Sequence, residues 1–241
     1  MCISVVSAST SDAEEPECAS SADRVASVLR TEILKGRLRP GERLKDAHLS
    51  AQFAVSRNTM RDALRELASS GLVTTRRNAG STVRRLVEGD VRDIYRVRRV
   101  IESQAVLGSS SAGSDQFDII AKAIDDTTMA VVDGRWNDVG TSSLYFHQAL
   151  VDMIGSARLS ALFENILAEL RLVFSVMTDE SAFQLQWVDR DREIAMHVFA
   201  GRRLEANEAL NPYLEDSEAL VIDAIRQSRS DNDTVPAKRK G

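Results

Sequence analysis

From residue 90 to residue 227 the apolar residues return every three or four positions, and no stretch of strict alternation interrupts them. That period builds helices that each bury one stripe, and it leaves no room for a sheet in this part of the core. Helices are expected at 90–108, 115–133, 136–153, 157–177, 182–200 and 203–227. They are separated by "GSSSAGS", Gly134, Gly155-Ser156, Asp179 to Ser181 and Gly201, all of them residues that punctuate helices. About six such helices pack as an all-α bundle.

The segment before it has a different charge. Residues 22–89 hold 14 Lys/Arg against 7 Asp/Glu, whereas the chain of 241 residues as a whole carries −5. A basic block joined to an acidic one suggests that only the first meets a polyanion. Residues 1–21, "MCISVVSASTSDAEEPECASS", are Ser-rich and acidic and are expected to be disordered, as is the tail 229–241. Two domains remain between them, 22–88 and 89–228. The first stretch lacks the basic and apolar regions of a secretory signal, and no apolar run approaches the ~20 residues that span a bilayer. Cys2 and Cys18 form neither a metal motif nor a disulfide framework, so a cytoplasmic protein with no membrane partner is expected.

Within the basic segment, "DRVASVLRTEILKG" places Val25, Val28, Leu29 and Ile33 on one helical face, closed by Gly36. A turn at Pro40-Gly41 follows, then a short helix "DAHLSAQF", a second turn and a third helix in "SRNTMRDALRELASSGL". "VTTRRNAGSTVRRL" reads as two short strands around Asn78-Ala79-Gly80. Three helices and a two-stranded wing make a winged helix-turn-helix, so the fold class is mainly α.

At about 100° per residue, Asn58, Arg61 and Arg65 lie within roughly 100° of Arg57 on the third helix. Met60, Ala63, Leu64 and Leu67 gather on another side, and Asp62 and Glu66 turn away from the basic face. A recognition helix needs this division, one face packed and one laid along the major groove. Arginine can fork onto guanine, and Asn58 can pair with adenine or a phosphate. Ser56 is positioned to cap the helix, and Thr59, Arg76 and Arg77 to hold phosphates.

"LRPGERL", "FAVSRNTMRDALRELASSGLV" and the turn glycine Gly80 resemble the winged helix of GntR-type bacterial transcription regulators over residues 22–86. The resemblance implies that Ser56, Arg57, Asn58, Thr59, Arg61 and the wing tip at Gly80 meet DNA. Many members carry a further DNA-contacting arginine in the second helix, where this chain has Ala47.

Four of the later helices set a polar group near the centre of an apolar stripe: Arg98, His147, Asp191 and Tyr213. An unpaired buried charge is costly, so these groups need partners. They either converge on one polar chamber or each find a local bond. "RVRRVIE", "YFHQALVDMIGSARL" and "AGRRLEANEAL" resemble the FadR subgroup of GntR regulators, whose helical FCD-type domain binds effectors. Many members hold a divalent metal there through one Asp and three His. The matching positions here are Ser143, His147, Asp191 and Tyr213. If zinc, manganese or iron is held, His147 and Asp191 are its ligands; otherwise Arg98 and His147 can hold an anion directly. The subgroup's effectors include small carboxylic acids and acyl-CoA.

The expected function is a homodimeric repressor, cytoplasmic and nucleoid-associated, released from a palindromic double-stranded DNA operator by a small acidic or acyl effector, with no cofactor. Two other readings stay open: an architectural DNA-binding dimer without effector, and a helical metallo-enzyme with an appended DNA-binding domain. No nucleophile motif, phosphate loop or HExxH pattern supports catalysis.

Overall fold

A computed structural model describes residues 20–76, 79–174, 177 and 179–234. Helix α1, Ser21–Leu34, starts at a capping box in which Ser20 and Asp23 exchange side-chain and backbone bonds of 2.8 and 3.1 Å. The described residues thus start at Ser20, and the helix-capped Ser20 and Ser21 fall within the stretch 1–21 expected to be disordered. Val25, Ala26, Leu29 and Ile33 form the buried stripe, and Val28, expected in it, is exposed.

The "PGERL" turn hides a strand. β1, Arg43–Leu44, pairs antiparallel with β3 in register Arg43↔Thr82. Two residues are too few to show a period in sequence. Helix α2 spans Asp46–Gln52 and α3 spans Arg57–Ser69. Between them Ala54 adopts a positive φ of 53°, a strained conformation for a residue with a Cβ. β2 (Val73–Arg76) and β3 (Gly80–Val83) form the wing, and the sheet order is β1-β3-β2.

The second region is helical throughout, as its periodicity requires. It comprises α4 (Glu88–Leu107), a 3-10 turn at Ser109–Ser111, α5 (Ser114–Val132), α6 (Trp136–Asp152), α7 (Ala157–Phe174), α8 (Glu180–Phe199) and α9 (Arg203–Thr234). α9 continues six residues into the tail that composition marks as disordered. Residues 1–19, with Cys2 and Cys18, and 235–241 lie outside the described residues. No helix among the described residues is long and apolar enough to cross a membrane.

Apolar burial divides into two clusters, one per region, but the division is not clean. Ala168 and Leu172 of α7 belong to the winged-helix cluster, while Leu86 of the connecting segment packs into the bundle. Burying Leu172 contributes about 2 kcal/mol to holding the two regions together.

Candidate functional sites: an exposed basic face and a buried polar chamber

Ser56 caps α3: its Oγ accepts from the Thr59 amide at 3.1 Å and lies 2.8 Å from Thr59 Oγ1. Met60, Ala63, Leu64 and Leu67 are buried beneath it. Arg57, Asn58, Arg61 and Arg65 are exposed on the other side. Arg57 and Asn58 make no hydrogen bond or ion pair with the described residues. Arg61 donates its Nε to Asp46 Oδ2 at 3.0 Å, which ties this helix to α2 while more than half of the Arg61 side chain, 56%, stays exposed. The nearby Arg61 and the Ala47 amide hold the Asp46 carboxyl below its ordinary value.

Arg65 departs from the expected division. It pairs with Asp62, because a long arginine side chain bridges the angle to an acid three residues away. Arg76 is exposed on β2, opposite Gly80 in the ladder. Gly80 has φ of 82°, which the tight wing turn requires and glycine accepts without strain. Arg43 Nη2 donates to Ala79 O at 2.8 Å and braces this tip. Arg77 lies outside the described residues.

In the helical region the structure brings Arg98, Ser143, His147, Asp191 and Tyr213 together. All five are buried, on α4, α6, α8 and α9. A sixth residue, Glu102, organises them and went unread in the sequence. Its Oε1 accepts from Arg98 Nε at 2.7 Å, and its Oε2 lies 2.6 Å from His147 Nδ1. Burial pushes the Glu102 carboxyl up, but Arg98 and His147 outweigh it and the group ends below the usual glutamate value. An ionised carboxylate only accepts, so Nδ1 of His147 carries the proton on that side. The signal was present as Arg98 and Glu102 four residues apart on one helix, a spacing that puts both on the same face.

The other edge of His147 faces Asp191, with Nε2 3.6 Å from Oδ1. Ser143 Oγ donates to Asp191 Oδ2 at 2.7 Å. Burial raises the Asp191 carboxyl to about 6, with His147, Ser143, Tyr213 and Arg98 pulling it back only in part. Tyr213 lies with its ring 4.9 Å from His147 and 4.8 Å from Trp187. Burial drives its phenol well above the usual tyrosine value. Arg98 Nη2, His147 Nε2, Asp191 Oδ1 and the Trp187 indole N–H are buried without a hydrogen-bond partner.

These residues do not fit a divalent metal. Ser143 spends its proton on Asp191 and is a weak ligand, and the Tyr213 phenol is held in its neutral form. That leaves two donors, His147 Nε2 and Asp191 Oδ1, because both oxygens of Glu102 are already engaged by Arg98 and by the Nδ1 edge of His147. Among the described residues no three His, Cys, Asp or Glu side chains are grouped to hold a metal ion.

Residues 21–83 match the family of bacterial regulatory proteins named for gntR, and residues 93–216 match the FCD domain. The chain belongs to the GntR family. A solved structure of a GntR regulator from Rhodococcus sp. RHA1 is 35% identical, covers 84% of this chain and 98% of that one, and superposes with a TM-score of 0.79. The HTH-type transcriptional regulator YdhC of Bacillus subtilis (strain 168) is 31% identical over 57% of this GntR-family chain and 62% of its own length. The HTH-type transcriptional repressor GlaR of Escherichia coli (strain K12) is 26% identical over 82% of this chain and 94% of its own. The gluconate operon transcriptional repressor of Bacillus licheniformis is 28% identical over 61% of each chain. The match thus spans about three fifths of YdhC and of the gluconate repressor. Winged helix followed by FCD bundle is the architecture of this GntR-family regulator, and its transcription-regulating, DNA-binding class follows from that membership.

Proposed function

We propose that this regulator is a cytoplasmic repressor that binds a palindromic operator as a homodimer and leaves it when a small acid fills the helical chamber. The observation that carries the reading is the exposed face of α3. Arg57 and Asn58 make no hydrogen bond or ion pair with the described residues, while the opposite face of a firmly capped helix is core. Exposed basic groups without a partner are available to a polyanion in a way that paired ones are not. Ser56, Thr59, Arg61, Arg76, Arg77 and Gly80 complete the interface, with Arg57 and Asn58 reading bases and the wing holding phosphates. Arg65, drawn toward Asp62, contributes less.

The chamber binds its effector without a metal. Arg98 Nη2 offers a donor to a carboxylate, and Asp191 Oδ1 an acceptor to a hydroxyl or a protonated group. Arg98 is already balanced by Glu102, so it holds an acid by hydrogen bonds more than by net charge. The effector shifts the equilibrium only through unequal affinity for the DNA-bound and free arrangements.

Gel-shift titration with DNA upstream of the regulator's own gene tests the first part. Sequence-specific retention that competitor DNA does not abolish is expected, and binding equal on all sequences would overturn it. Thermal shift against carboxylates, sugar acids and acyl-CoAs tests the second, because a ligand of the native state raises the melting temperature by mass action. Stoichiometric zinc, manganese or iron in the purified protein would overturn the metal-free reading.

A further inference from the structure

The winged helix meets the bundle at one charged junction. Arg84 follows the last residue of β3, and its amide still donates to Leu72 O at 2.8 Å, so its backbone belongs to the wing. Its side chain does not. Nη1 donates to Glu169 Oε2 on α7 at 2.7 Å, and Nη2 to Asp90 Oδ1 on α4 at 3.0 Å. One guanidinium therefore spans two helices of the bundle. All three side chains are at most 30% exposed, which sets this junction apart from the solvated pairs elsewhere on the chain.

Each partner is itself fixed. Asp90 uses its second oxygen to accept the Val87 amide at 2.9 Å, closing the start of α4. Glu169 lies over Gly71, which has φ of 76°. A Cβ at Gly71 would stand 2.0 Å from Glu169 Oε1 and 2.5 Å from its Cδ, so the carboxylate occupies the space a side chain would fill. Ala168 and Leu172, on the same side of α7, plug the winged-helix core directly beside this contact. The head is thus located by an apolar plug and oriented by a two-armed ionic fork. A plug alone tolerates sliding and rotation; a fork held at both ends does not.

We propose that Arg84, clamped between Asp90 and Glu169 above Gly71, sets the angle of the winged helix on the bundle and so determines which half-site spacing the dimer accepts. These are positioning residues: they shape operator choice without touching DNA. The proposal rests on the reading of this chain as a dimer on a palindrome. Half-site spacing is a geometric property of such a dimer, and each added base pair rotates one half-site by about 34° and moves it by about 3.4 Å.

The experiment uses the full-length protein and a half-site pair selected with it from random duplexes, re-synthesised at spacings changed one base pair at a time through a helical turn. The unmodified protein is expected to favour one spacing over its neighbours by tenfold or more. Glu169→Gln, which keeps the shape and removes the charge, should bring neighbouring spacings within about threefold while affinity for an isolated half-site stays the same. Asp90→Asn, which removes the charge of the other arm and leaves an oxygen to accept the Val87 amide, should flatten the profile in the same way. It stands in for the first variant should that one fold poorly, as judged by its melting curve. A peaked profile that both variants retain would overturn the clamp and leave the dimeric regulator intact. A flat profile from the unmodified protein would overturn the clamp and the palindrome reading together.

Discussion

The two regions treat the same side chain in opposite ways. On α3, Arg57 stands in solvent with no hydrogen bond or ion pair to the described residues; on α4, Arg98 is buried and donates its Nε to Glu102, with His147 on the carboxylate's far side. Water solvates the first arginine until a polyanion replaces it. Nothing solvates the second, so the protein itself must supply the counter-charge. An exposed cation advertises a partner outside the molecule. A buried one reports a partner already inside it, and a ligand must join that network rather than simply neutralise it.

The contrast breaks most visibly at Glu102. Glu102→Ala strands Arg98 and His147 in the bundle and should cost about 3–5 kcal/mol in urea unfolding. Replacing both ends of the pair, Arg98→Met with Glu102→Leu, should recover most of it. A loss below about 1 kcal/mol would mean that the chamber behaves like the solvated face.

Asp191 sharpens the same point through pH. Its folded value of about 6 stands above the ordinary 3.8, so between these values the native state holds the proton that the unfolded chain releases. Its contribution to stability therefore falls as pH rises from about 4 to about 6 and stays low above that, a swing of roughly 3 kcal/mol. Asp191→Asn should raise the melting temperature relative to the unmodified protein at pH 7.5, with the advantage vanishing towards pH 4. A difference constant across pH would place Asp191 in a water-like setting.

On the exposed side, Arg57→Ala should leave the melting curve unchanged and weaken specific operator binding 10- to 100-fold, or about 1–3 kcal/mol. Arg76→Ala should weaken all sequences alike and lower the salt slope by about one. The smallest effect belongs to the turn between α2 and α3. Ala54→Gly relieves a positive φ and should add about 0.5–1 kcal/mol in thermal melts, less the entropy that glycine brings to the unfolded chain.

Much of this was legible beforehand. The periodicity of residues 90–227 located the helices to within a few residues except at the far end of α9, and the angular division of α3 located its buried and exposed faces, because both depend only on neighbours three or four positions away. Strand β1 escaped because its pairing partner lies about 40 residues later and its two residues carry no period of their own. Arg65 was placed on the correct side of α3, but angle alone did not register the reach of its side chain to Asp62.

The amino-acid sequence by itself determined the class of elements, their order, the basic face and the list of polar residues set into apolar stripes. Only the tertiary structure decided that those polar residues meet in one buried cluster, that Glu102 divides itself between Arg98 and His147, and that Arg84 joins the wing to α4 and α7 at once. The physical reason is range. Helix formation and amphipathicity are local sums that a sequence window contains. A buried charge is satisfied by whichever group the packing brings within about 3 Å, and in this chain that group can be four residues away, as Glu102 from Arg98, or 85, as Glu169 from Arg84.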